Sequence, residues 1–125
     1  MKPSSYHILR VGMAITFIWV GVLILKDPAA WGGLISVWAE KLLPGPIEQV
    51  MVSTAILDIV IGAMLLLDFW VWIAGFLVSA HLAVVLVTTG ITAITVRDIG
   101  LLTGGLALMA SSTPPNWIPW IGKKK

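Results

Sequence analysis

Most of this chain lies in four apolar segments, each close to the length that a helix needs to cross a bilayer. They cover about residues 6–25, 47–67, 70–89 and 95–112. A helix rises about 1.5 Å per residue, so about 20 apolar residues cross a hydrocarbon core of about 30 Å. Only 11% of the 125 residues are charged, far below the share in a soluble domain. The pattern predicts an all-α, polytopic membrane protein, a single domain built as a four-transmembrane-helix bundle.

The segment between the first two spans, about residues 28–43, has a different character. Asp27-Pro28 is typical of a helix start, with Asp as the N-cap and Pro in the first turn. Apolar residues follow at helical spacing, but Glu40 and Lys41 interrupt them, and Pro44 and Pro46 end the segment. These features predict a short interfacial helix that does not span the membrane.

The distribution of basic residues favours both termini in the cytoplasm. An even number of spans puts both ends on one side, and that side would carry Lys2, Arg10 and Lys123–Lys125. The opposite side would carry three bases, at Lys26, Lys41 and Arg97. The net charge is only +2, and the basic tail fits a topology signal or an anionic-lipid contact, not nucleic-acid binding.

Several kinds of site are excluded by residue content. The chain has no cysteine, which rules out disulfides, thiolate metal sites and cysteine-ligated iron–sulfur clusters. Its two histidines cannot form a His-rich metal site alone, so no metal site is expected. Phosphate-binding loops, dinucleotide fingerprints and nucleophile elbows are likewise missing from the sequence.

Asp58 and His81 interrupt the second and third apolar segments near their middles. A tight helical hairpin between these segments, with its turn between Phe69 and Trp70, puts both residues at the same depth. That depth is roughly 17 Å from the turn, close to the bilayer midplane. Ionisable residues are costly there and mark functional sites by default. The pair is therefore the candidate catalytic site for proton chemistry, although helix rotation is open at this point.

Asp58 belongs to a stripe of small and polar residues, because Thr54 and Gly62 lie four positions before and after it. Such a stripe favours close approach to another helix and predicts that Asp58 and Thr54 face the bundle interior. The carboxylate could accept a proton, or it could hold helices together through an ion pair. His81 alone is more typical of a hydrogen-bonded packing residue than of a ligand.

Arg10 and Asp98 are the remaining candidate ligand-binding residues. Arg10 could extend toward the interface, or it could point inward to neutralise Asp58 or to bind an anionic group. The negative charge of Asp98 is favourable at the N-terminus of the fourth helix, where the helix dipole is positive. Asp98 could equally complete a polar network at that end of the bundle.

Three short motifs resemble the DoxX-like family of small four-helix membrane proteins. They are Arg10 with Phe17 and Gly21, the pattern Asp58-Ile59-Val60-Ile61-Gly62, and Arg97-Asp98 followed by Leu101, Leu102 and Gly104-Gly105. The family more often has Glu at the position of Asp58. The resemblance implies a four-helix bundle in which Arg10, Asp58 and Asp98 line the interior, with a quinone as the implied ligand and no covalently bound cofactor.

The leading hypothesis is a small membrane subunit of a quinone-linked redox complex, with Asp58 and His81 beside a quinone or proton path. Its expected partners are the lipid bilayer and other subunits or further copies of the chain. One alternative is a structural or assembly subunit, in which the polar residues only hold helices together. Another is a carrier of a small lipid-like molecule that uses Arg10 against an anionic group.

Overall fold

The computed structural model describes residues 2–93 and 95–112, and within them the regular structure is helical. Four long helices and two short ones follow one another along the chain: α1 (Pro3–Lys26), α2 (Pro28–Gly32), α3 (Val37–Glu40), α4 (Ile47–Leu66), α5 (Val71–Thr89) and α6 (Val96–Ser112). The all-helical prediction is confirmed for these residues. Residues 113–125, which include the basic tail used to predict the orientation of the termini, lie outside the described residues.

Among the residues that the structure describes, three helices are long and apolar enough to cross a membrane, namely α1, α4 and α5. Large apolar side chains on their outer faces are exposed, among them Trp19 on α1, Ile56 on α4 and Phe76 on α5. Exposed apolar surface of this extent marks a face that meets lipid or another protein. The protein is therefore a helical membrane protein that contacts the bilayer. Helix α6 has 17 residues, and the prediction that it is a fourth span stays a prediction.

The long helices form two closely packed antiparallel pairs, α1 with α4 and α5 with α6. Glycines allow the close approach in both pairs. A Cβ on Gly62 would lie 3.0 Å from the carbonyl oxygen of Ala14 on α1, and one on Gly75 would lie 2.7 Å from the carbonyl oxygen of Gly105 on α6. Contact between the two pairs is much less extensive. The fold therefore consists of two closely packed helix pairs. The less closely packed boundary between the α1–α4 pair and the α5–α6 pair is called the seam below.

The seam is filled with side chains in only one half of its length. Next to the α4–α5 turn, all four long helices contribute to one buried apolar cluster, which includes Met13, Leu65, Val78 and Leu108. Toward the other end of the bundle, the buried residues of a smaller cluster around Ile24 come from α1 and α4, with Trp31 and Ile35 of the connection packed against them and no residue of α5 or α6 among the described members. Space is therefore left between the helix pairs at that end.

The α4–α5 link is as short as the sequence predicts. Helix α4 ends at Leu66 and α5 begins at Val71, and Asp68 and Trp70 adopt positive φ angles of 56° and 45°. The left-handed conformation reverses the chain direction within a few residues. The hairpin thus fixes the relative depth of residues on α4 and α5.

The α1–α4 connection consists of two short helices, where the sequence predicts one helix over about residues 28–43. Asp27 caps α2 as predicted, because its carboxylate accepts a hydrogen bond of 3.2 Å from the Ala30 N–H. Helix α2 ends at Gly32, and the residues from there to Ser36, the N-cap of α3, do not continue the helix. The Ser36 N–H donates to the Thr88 carbonyl oxygen at 2.9 Å, which attaches this segment to the end of α5. The connection covers one end of the seam, and its position relative to a membrane interface stays a prediction.

Candidate functional site: an acidic cavity floor

Asp58 and His81 face each other across the seam. The Nε2 atom of His81 lies 3.1 Å from Oδ1 of Asp58. Asp58 is 3% exposed, and the His81 side chain is 14% exposed. The hairpin brings the two residues to one depth, and the rotation that the sequence leaves open puts both side chains inside the bundle.

The Asp58–His81 contact leaves one carboxylate oxygen without a hydrogen bond. The 3.1 Å distance is within ion-pair range, but the ring nitrogen is not aligned with the oxygen as a hydrogen bond requires. Oδ1 of Asp58 consequently has no hydrogen-bond partner among residues 2–93 and 95–112. Leaving a buried acceptor unsatisfied costs about 1–3 kcal/mol, so such atoms are rare and are informative about function.

The pair forms the floor of a cavity of about 400 Å³ that lies between the two helix pairs. From His81 to Thr89, both of which line it, the cavity extends about 12 Å along α5. Its walls are largely apolar and include residues of every long helix and of the α2–α3 segment, namely Phe17, Val20, Ile24, Trp31, Leu34, Ile35, Leu43, Val50, Met51, Leu82, Val85 and Leu101. A concave apolar space of this size with a few convergent polar groups is typical of a small-molecule site.

The end of the cavity away from the floor carries a second group of polar residues. Thr88, Thr95, Arg97 and Asp98 line it there. Asp98 interacts electrostatically with both Asp58 and His81. The sequence offers two roles for Asp98, a favourable charge at the N-terminus of α6 and membership of a polar network. Its position fits both roles, because Asp98 lies in the first turn of α6 and lines the cavity beside other polar residues.

Thr54 lines the same cavity, and the stripe that includes it faces the bundle interior as predicted. Its hydroxyl donates to the Val50 carbonyl oxygen at 3.0 Å. Gly62, at the other end of the stripe, is buried against Ile18 and Ala14 of α1. The hydroxyl proton of Thr54 is therefore occupied within α4, and its oxygen is left as an acceptor toward the cavity.

Arg10 lies at the opposite end of the molecule and does not line the cavity. Its Nη1 atom donates to the carbonyl oxygens of Leu65, at the end of α4, and of Leu66, the latter at 2.9 Å. Its Nε atom is 3.7 Å from Oδ1 of Asp68, to which the Tyr6 hydroxyl also donates at 2.8 Å. The guanidinium thus closes the C-terminus of α4 and pairs with Asp68, where sequence reasoning had offered Asp58 as the partner.

Sequence reasoning missed two features of this arrangement. Sequence reasoning treats Arg97 only as a base on the side opposite the termini and as part of a family motif, yet the residue lines the cavity beside Asp98. The cluster of Tyr6, Arg10 and Asp68 was not found, although an acidic residue directly after a span and a base early in α1 were a usable signal for it.

Comparison of the chain with protein-family models, with curated proteins and with solved structures finds no match. The resemblance to DoxX-like proteins therefore continues to rest on the short motifs, and the functional argument rests on the cavity and its polar floor.

Proposed function

We propose that this chain is a DoxX-like integral membrane protein that binds a quinone in the cavity, as a small subunit of a quinone-linked redox complex. In this proposal α6 is the fourth span and both termini are cytoplasmic. The observation that carries it is the buried Asp58–His81 pair at the floor of an apolar cavity of about 400 Å³. A flat six-membered ring with two polar oxygens fits a space that is apolar along its walls and polar at its end.

The reduction of a quinone and the oxidation of its quinol both need groups that exchange protons, and these residues can do so. Reduction of a quinone to its quinol consumes two electrons and two protons, and oxidation of the quinol releases them. Asp58 and His81 are the groups at the floor that can give or take protons, and Asp98 continues the titratable path toward the mouth. The electrons are exchanged with a flavin, haem or iron–sulfur centre of a partner subunit.

The cavity favours this proposal over a purely structural role for the pair. A polar pair that only holds helices together is usually surrounded by close-packed side chains, as protein interiors are in general. Asp58 and His81 instead line open volume. The carrier alternative, in which Arg10 binds an anionic group, has less support because Arg10 is occupied at the other end of the bundle.

Binding is tested by filling the cavity. Thr54→Phe places an aromatic ring in the cavity, whereas Ser53→Phe places one on the exposed face of the same helix. Both residues donate their hydroxyl to the carbonyl oxygen four positions earlier, so the two variants lose the same local hydrogen bond. The measurement is equilibrium binding of tetramethylbenzoquinone and its hydroquinone to the protein in nanodiscs, with protein-free nanodiscs subtracted.

The expected result is saturable binding of the couple by the wild type and by Ser53→Phe, and at least a tenfold loss in Thr54→Phe at equal folded yield. Failure of the wild type to bind either form, or equal binding by Thr54→Phe, would sink the proposal. His81→Gln then tests the chemistry: it should slow quinone turnover in native membranes while binding is retained.

A further inference from the structure

The cavity reaches the outer surface of the bundle at Val84. This residue lines the cavity, yet it is 60% exposed, so it borders the interior and the surroundings at once. Among the exposed large apolar residues of the described part of the chain, Val84 alone lines the cavity. Val87, three positions later on α5, is 66% exposed and does not line it. The wall of the cavity is therefore incomplete at Val84.

The incomplete wall lies in the gap between α4 and α5. Val84 follows His81 by three positions, so it lies on the face of α5 from which His81 contacts Asp58 of α4. Thr54 precedes Asp58 by four positions on α4 and also lines the cavity. Because α4 and α5 are antiparallel, Thr54 and Val84 lie on opposite sides of the gap, one turn from the polar pair. The gap between these two residues is called the Val84 opening below.

The depth of the Val84 opening places it against lipid. His81 lies near the middle of its span, and Val84 is three residues, or about 4.5 Å, further along α5. The hydrocarbon core extends about 15 Å to each side of its midplane, so lipid chains face the opening. Arg97 and Asp98 line a different part of the cavity, on α6. The cavity thus has an opening toward hydrocarbon that is distinct from its polar mouth.

We infer that the ligand enters the cavity sideways from the bilayer and leaves a long alkyl or isoprenoid chain in the Val84 opening. This inference rests on the proposed function and adds the substrate class, a lipid-resident quinone with a long chain. The cavity extends only about 12 Å along α5, so a chain that crosses a hydrocarbon leaflet of about 15 Å does not fit inside together with the ring. A chain that stays in the bilayer loses little, because lipid is as apolar as a leucine side chain.

The test compares a quinone without a chain with one that carries a chain. The probes are tetramethylbenzoquinone and its analogue in which a decyl chain replaces one methyl group, measured by equilibrium binding to the protein in nanodiscs. Val84→Trp narrows the opening, and Val87→Trp makes the same change at an exposed position of the same helix that does not line the cavity. Each variant is compared with the wild type in identical lipid, so the partitioning of the probe into the bilayer cancels.

The two probes should respond differently to Val84→Trp. The indole ring competes with the chain for the opening, so binding of the decyl quinone should weaken by about tenfold or more. Tetramethylbenzoquinone has no chain, and its affinity should stay within about twofold of the wild type, as surface substitutions usually allow. Val87→Trp should change the affinity for neither probe.

Three results would overturn the inference while the proposed function stands. They are failure of the wild type to bind the decyl quinone when it binds tetramethylbenzoquinone, unchanged binding of the decyl quinone by Val84→Trp, and an equal loss of both probes in that variant. Binding of neither probe by the wild type would remove the proposed function itself.

A measurement on the wild type decides the question if Val84→Trp does not fold. A diazirine midway along the decyl chain is activated by light, and the labelled peptides are identified with and without excess tetramethylbenzoquinone. Labelling that the excess quinone abolishes should fall on α4 near Thr54 and on α5 near Val84. Labelling of α1 near Thr16 or of α6 near Leu101 in their place would show that the chain leaves the cavity elsewhere and would refute the inference.

Discussion

Replacing Arg10 with methionine should destabilise the bundle more than any other single charge removal near a helix end. Arg10 is 9% exposed, and its Nη1 atom bonds the last carbonyl oxygens of α4. Methionine has a comparable length and keeps the apolar packing of the stem, but it donates nothing. The Leu65 and Leu66 carbonyl oxygens would lose the guanidinium donor at once, although Leu65 keeps a hydrogen bond from the Asp68 N–H and Asp68 keeps the one from the Tyr6 hydroxyl.

The magnitude can be worked from these contacts. Each hydrogen bond from a charged donor contributes about 1.5–3 kcal/mol, so the two that Nη1 donates to the Leu65 and Leu66 carbonyl oxygens together contribute about 3–5 kcal/mol. The Asp68 side chain is 46% exposed, so its 3.7 Å contact with Nε adds less than about 1 kcal/mol. We expect Arg10→Met to lower the free energy of unfolding by about 3–5 kcal/mol.

The assay is equilibrium unfolding in mixed detergent micelles, followed by circular dichroism as the fraction of denaturing detergent increases. Arg10→Lys keeps the charge without the planar fork, so its loss should be intermediate. Arg97→Met removes the same side chain from an exposed position and should change the free energy by less than about 0.5 kcal/mol. A loss below about 1 kcal/mol in Arg10→Met would refute the idea that this residue holds the end of α4.

Two further substitutions test the packing and the α5–α6 connection. Gly75→Ala should lower the free energy of unfolding by about 1–3 kcal/mol, because the new Cβ would lie 2.7 Å from the Gly105 carbonyl oxygen. In the control Gly100→Ala the new Cβ contacts nothing within 4 Å, so the same unfolding assay should show no loss or a small gain in stability. Thr95→Val should cost about 1–3 kcal/mol, because the buried hydroxyl accepts a 2.8 Å hydrogen bond from the Thr92 N–H. Thr95→Ser should retain most of that stability, and equal losses in the valine and serine variants would contradict the hydrogen-bond explanation.

The positions of the long helices could be predicted from the sequence because apolar runs and helix breakers are local signals. Helix α4 begins after Pro46, and α5 ends at Thr89, before Gly90. The depth of Asp58 and His81 was also predictable, since a short hairpin leaves only one register. Their mutual orientation was not, because helices that are apolar all round give little rotational information.

Features that depend on which helices pack together could not be predicted from local patterns. Gly100 and Gly104 form a GxxxG pattern, which is typical of close helix packing. A Cβ added at Gly100 would contact nothing within 4 Å, and one at Gly104 would contact only side chains such as that of Met13. The close contact with α5 is made instead by Gly105. The partner of Arg10 depends in the same way on the pairing of α1 with α4, which the order of the segments does not specify.

The pairing of α1 with α4 also sets an order of events during synthesis. Helices α5 and α6 are neighbours in sequence and can associate as soon as both exist, whereas α1 must wait for the whole α2–α3 connection and α4. Until Leu65 and Leu66 have been added, the Arg10 guanidinium lacks the carbonyl oxygens that hold it and must extend to the membrane surface. Because Leu65 and Leu66 precede His81 in the chain, the partners of Arg10 are synthesised before Asp58 can meet His81.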